Sequence, residues 1–119
     1  MTRARARARG AADPFAVPSV VVVYLREPPA KLWGVLRSLD LNGAALEGVD
    51  LRSFDDWLSG VAAREIGPGD CSLAFYPMAR IEKILLDRGS EASPSLGDQF
   101  RARVGVGIVQ FLSKGARRR

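Results

Sequence analysis

The apolar residues fall in short blocks of two kinds, one alternating and one at helical spacing. Residues 20–26 open with four valines, Tyr24 and Leu25, the strongest strand signal in the chain. Glu27-Pro28-Pro29 ends it, because proline cannot donate to a ladder. Residues 31–40 form a second predicted strand. Leu32, Gly34, Leu36 and Ser38 share one face, and Trp33, Val35, Arg37 and Leu39 the other. Both faces hold apolar residues, as where a strand bends around a small core, and Gly34 marks a bend or a close backbone approach. Asn42-Gly43 is a hairpin signal that makes residues 44–51 a third, antiparallel strand. Ser53 and Asp56 have the spacing of a capping box. Phe54, Trp57, Leu58 and Val61 then follow at helical spacing.

Residues 64–70 form a loop around Gly67-Pro68-Gly69. Residues 71–76 and 80–87 are the fourth and fifth strands, tightly connected by Pro77-Met78-Ala79. In the fifth, Ile81, Lys83 and Leu85 alternate with Glu82, Ile84 and Leu86. Ser95 and Asp98 repeat the helix-start pattern, with Leu96, Phe100 and Val104 on one side of the helix. Gly105 and Gly107 break or cap it, and Ile108, Val109, Phe111 and Leu112 resume an apolar stripe. The predicted fold is mainly β with α: a small five-stranded antiparallel β-barrel or highly bent sheet. A short helix lies between strands three and four, and a C-terminal helix covers one opening.

Charge divides the chain. Its 119 residues carry a formal net charge of +5, with +3 on residues 1–19, +4 on 114–119 and −2 on 20–113. The expected organisation is therefore one domain over 20–113 between a disordered basic tail and a short basic terminus. Arg3, Arg5, Arg7, Arg9, Arg117, Arg118 and Arg119 are the candidate nucleic-acid contacts, acting on a polyanion by counterion release without reading its sequence.

Composition also excludes. The absence of histidine removes the commonest general base and any Ser-His or Cys-His nucleophile pair. Cys71 is the single cysteine, so neither an intrachain disulfide nor a cysteine metal site can form, and a reducing cytoplasmic setting fits. The longest apolar run, residues 20–25, is far below the roughly 20 residues of a membrane span. No apolar run in the N-terminal region has the length of a secretory signal core. Asp50, Asp55 and Asp56 cluster, but adjacent acids on a helix diverge by about 100° and suit the helix dipole better than a cation. Trp33 and Trp57 are assigned to the core. No enzyme, cofactor, metal or membrane contact is expected.

Two resemblances bear on function. Val21-Val22-Val23-Tyr24-Leu25, Leu32-Trp33-Gly34-Val35-Leu36 with Asp40, and Leu73-Ala74-Phe75-Tyr76 followed by Pro77-Met78, Ile81 and Ile84 are similar to the two halves of the Sm-like motif. That resemblance implies a small β-barrel whose fourth and fifth strands pair with neighbouring subunits in a homo-oligomer. It also implies RNA binding, but the motif's RNA-contacting asparagine is replaced by Ala44, and its Arg-Gly turn by Tyr76-Pro77-Met78. Proline and methionine supply neither charge nor donors for phosphates and base edges. Phe75, Tyr76, Met78 and Ile81 are accordingly the candidate interface residues. Arg5-x-x-x-Arg9 and Ser38-x-Asp40-x-x-Gly43 more weakly resemble the cyclic-dinucleotide motif of PilZ domains, with acid and hydroxyl exchanged. The leading expectation is a non-catalytic interaction module that self-associates or docks a protein partner. RNA binding through the tails and PilZ-type nucleotide binding are the alternatives.

Overall fold

The computed structural model describes residues 13–117. Five strands, β1 (Ser19–Leu25), β2 (Ala30–Asp40), β3 (Gly43–Asp50), β4 (Ser72–Pro77) and β5 (Ile81–Leu86), form one sheet in the order β4-β3-β2-β1-β5. Every neighbouring pair is antiparallel. Helix α1 (Phe54–Ala62) lies between β3 and β4, and α2 (Leu96–Val104) and α3 (Ile108–Arg117) follow β5. A single 3-10 turn, Met78–Arg80, links β4 to β5.

The five antiparallel strands and the inserted helix agree with the sequence pattern; the closed barrel does not. Among the described residues β4 and β5 are the two edges, and no ladder joins them. The sheet instead curls. Ile81 of β5 and Ala44 and Leu46 of β3 share one apolar cluster with Val21, Val23, Leu25 and Leu36, and Tyr76 of β4 packs against it. In a flat sheet the two edge strands would stand about 19 Å apart. The bend is built on Gly34 and Gly48, which face each other across the β2–β3 ladder. A Cβ on Gly34 would collide with the carbonyl of Glu47, and one on Gly48 with the carbonyl of Trp33.

Two register shifts correct the predicted faces. One between Leu36 and Ser38 sends Leu39 to the inner cluster beside Leu36, not to the Trp33 side. Another at Tyr24 and Leu25 pairs Leu25 with Ile81 and Tyr24 with Lys83, leaving Glu82 as the extra residue. Ile81 thereby joins Ile84 and Leu86 on the inner face and leaves the face of Lys83 and Leu85. A one-residue bulge inverts alternation, which period-two reading of a sequence cannot anticipate.

The helices cover a face of the sheet, where the sequence placed a C-terminal helix over an opening. Trp33 and Val35 are fully buried beneath Phe54, Trp57, Leu58 and Val61 of α1, Phe100 of α2, and Ile108, Phe111 and Leu112 of α3. Both tryptophans are core residues, as read from the sequence. Trp33 meets Phe54 edge-on with ring centroids 5.2 Å apart, and Trp57 stacks on Phe100 at 5.5 Å. The Ser95 capping box forms as read: its hydroxyl accepts the N–H of Asp98 at 2.9 Å, and the Asp98 carboxylate accepts the N–H of Ser95 at 3.2 Å. Ser53 makes no side-chain cap. Asp50 takes that role one turn earlier, accepting the Arg52 N–H at 2.8 Å at the start of a 3-10 turn over Leu51–Ser53. The C-terminal region forms two helices, separated where Gly105 adopts a left-handed conformation, φ 98°. The second runs to Arg117, so residues 114–117, assigned from sequence to the basic terminus, are helical.

Candidate functional site

The exposed edge strand β4 is where the fold leaves apolar surface uncovered. Its sequence, Ser72 to Pro77, contains no charge. Tyr76 turns inward onto the curled core, so the alternate residues Leu73 and Phe75 turn outward. They are 63% and 55% exposed, and at the same end of the sheet stand Leu41 at 93% and Met78 at 39%. Leu41 occupies the β2–β3 hairpin loop. That loop is fixed by Asp40, whose carboxylate accepts the N–H groups of Asn42 at 2.8 Å and Gly43 at 3.3 Å. The loop is joined to the β4–β5 turn by the Met78 N–H, which donates to the Asn42 carbonyl at 2.9 Å. Leu39, Asp40, Leu41 and Met78 border a shallow recess of about 460 Å³. Pinning both turns together holds this patch in one shape.

Of the candidate interface residues, Phe75 and Met78 lie in the exposed patch. Tyr76 is half-buried, and Ile81 is core for the register reason given above. Leu41 and Leu73 complete the patch. The sequence reading missed both: Leu73 follows by alternation only once Tyr76 is known to face inward, and nothing local marks Leu41. At the opposite edge β5 exposes Leu85, and on that side Lys31 and Lys83 flank the Tyr24 ring, 5.0 and 4.7 Å from its centroid. Both lysines are cross-strand partners of Tyr24, which accounts for the contact.

The remaining polar candidates are engaged in structure. Asp40, the acid of both family resemblances, caps the hairpin. Asp50 pairs with Arg52 at 3.1 Å, and this charge-assisted bond holds its carboxyl below the usual carboxylate range. Burial pushes the Cys71 thiol up to about 12, with Glu47 and Asp70 adding to the effect. Among the described residues no three His, Cys, Asp or Glu side chains gather where they could hold a metal ion. No described helix is long and apolar enough to cross a membrane.

Arg3, Arg5, Arg7, Arg9, Arg118 and Arg119 lie outside the described residues, and Arg117 ends α3. The sequence placed all excess positive charge in these terminal segments. Lys114, counted above with the C-terminal segment, lines one groove of the folded body together with Arg64 and Arg103.

No family model, curated protein or solved structure matches this chain.

Proposed function

We propose that the protein is a non-catalytic interaction module, an Sm-like scaffold in its strand pattern, that self-associates through its sheet edges. The observation that carries this reading is the charge-free strand β4, which presents Leu73 and Phe75 beside unpaired backbone groups on the outer edge. Edge strands of this kind template pairing with another strand unless charge, proline or a covering element blocks them. Pro77 blocks one end alone. Strand β5, at the other edge, has backbone groups free to receive a second copy's β4. The Gly34 bend and the Asp40 turn, the two motif positions of the resemblance, have structural roles in line with it.

Sedimentation equilibrium of the full chain tests the reading. The expected result is a concentration-dependent oligomer that Phe75→Asp converts to a folded monomer. A wild-type chain that stays monomeric at high micromolar concentration removes self-association and leaves a different protein as the partner of β4.

RNA binding through the arginine-rich termini is the second reading, supported by seven arginines at the chain ends. PilZ-type nucleotide binding has less support, since the Asp40 carboxylate is turned onto its own hairpin.

A further inference from the structure

Three helix ends converge on a groove of about 590 Å³, remote in function from β4. Arg64 follows the end of α1, Arg103 lies in the last turn of α2, and Lys114 lies on α3. Each is exposed, and among the described residues none makes an ion pair or a side-chain hydrogen bond. The floor between them is apolar, formed chiefly by Ile66, Val104 and Phe111. Helix C-termini favour nearby cations, which is how three of them are kept together at low cost.

The groove is held in shape. Arg64 sits in the left-handed region at φ 63°. Its N–H donates to the Val61 carbonyl at 3.0 Å, and the N–H of Glu65 donates to that of Gly60 at 2.8 Å. The Ile66 side chain lies directly over Gly60, where a Cβ would have no space. A non-glycine residue in this conformation persists where its surroundings over-determine it. The opposite wall ends at Gly105, whose N–H closes α2 on the Arg101 carbonyl at 2.8 Å.

We propose that this groove binds a small amphiphilic anion, with an aliphatic body against Ile66, Val104 and Phe111 and a carboxylate-type head among Arg64, Arg103 and Lys114. The volume is in the range of small-molecule sites, which combine apolar walls with a few placed polar groups. Charge complementarity fixes the head, since three cations face the opening without a carboxylate among the lining residues. The floor fixes the body. Stacking of a nucleic-acid base would need an exposed ring, and Phe111, the one aromatic lining residue, is only 8% exposed.

The test is a titration of the ¹⁵N-labelled full chain with sodium decanoate below its micellar range, and with decanol, followed by NMR. Decanoate is expected to give saturable shifts at the amides of Val104, Val106, Phe111 and Lys114, with decanol binding about tenfold more weakly for want of the charge-assisted contacts. Arg103→Gln with Lys114→Gln, both at exposed positions, is expected to weaken decanoate about tenfold and leave decanol unchanged, with the thermal midpoint reporting an intact fold. The proposal is overturned if decanol binds as well as decanoate, or if the double variant binds decanoate like the wild type. Shifts confined to Leu73 and Phe75, or none that saturate, would also overturn it. So would a short single-stranded RNA that shifts the groove amides where decanoate does not.

Discussion

The carboxylate of Asp87 accepts the indole N–H of Trp33 at 3.1 Å. The same carboxylate accepts the N–H groups of Leu96 at 3.0 Å and Gly97 at 2.7 Å, in the first turn of α2. One side chain just past the end of β5 thus satisfies a fully buried donor and anchors the helix that covers it. Asp87→Ala leaves all three donors without their acceptor and is expected to cost about 3 kcal/mol. Asp87→Asn keeps one carbonyl oxygen and is expected to cost about half as much. Urea unfolding measures both, and an alanine variant as stable as wild type would dismiss the anchoring role.

Trp33 and Trp57 make a controlled comparison. Both are core indoles, but the Trp57 N–H is buried with no acceptor among the described residues. Replacement by phenylalanine removes comparable apolar volume at either site. Trp33→Phe also breaks a bond to a carboxylate, so it is expected to destabilise by about 1.5 kcal/mol more than Trp57→Phe. Equal losses in parallel denaturant titrations would contradict the assignment of partners.

The curl of the sheet depends on two absent side chains. Gly34→Ala places a methyl against the Glu47 carbonyl, on the backbone of a paired strand that cannot rotate away. A loss of about 3 kcal/mol is expected. Gly67→Ala, at a position where an added methyl would meet nothing within 4 Å, serves as the control and is expected to change stability little. A tolerant Gly34 would mean that the bend has another origin.

Cys71 reports on the integrity of the helical face. Its thiol is raised from the ordinary 9.0 to about 12 by burial first and by Glu47 and Asp70 second. The thiolate is the reactive form, so the folded protein is expected to resist a disulfide reagent at about pH 8 and to react on unfolding. The folded state retains a proton that the unfolded state gives up first. Its stability contribution is therefore complete below about pH 9 and is lost progressively as pH rises towards 12. Rapid modification of the native chain would refute the burial.

For the surface patch, full burial of Phe75 in an oligomer contributes about 2 kcal/mol, so Phe75→Asp is expected to raise the dissociation constant at least about 30-fold. Leu85→Asp, on the far edge strand β5, distinguishes β4–β5 contact from β4–β4 contact, since only the first is expected to weaken. For the arginine-rich termini, any affinity for polyanions is expected to fall steeply with salt and to vanish when the seven terminal arginines are replaced by serine. Salt-resistant binding would point to a surface on the folded body.

Local chemistry fixed the five strands, the hairpin at Asn42-Gly43 and the capping box at Ser95, because each depends on residues within a few positions of one another. It also singled out Gly34 as a point of close approach, and Phe75 and Met78 as candidate surface. Long-range geometry decided the rest. The order of the strands, the open edges and the curl came from pairing between distant segments. The bulges that bury Ile81 and turn Leu39 inward have no local signature, since one extra residue in a ladder is set by the partner strand. The same holds for Arg64, Arg103 and Lys114, unremarkable in three separate segments until packing of the helix ends gathers them. Sequence specifies what each segment prefers, and only the packed chain determines which distant side chains become neighbours.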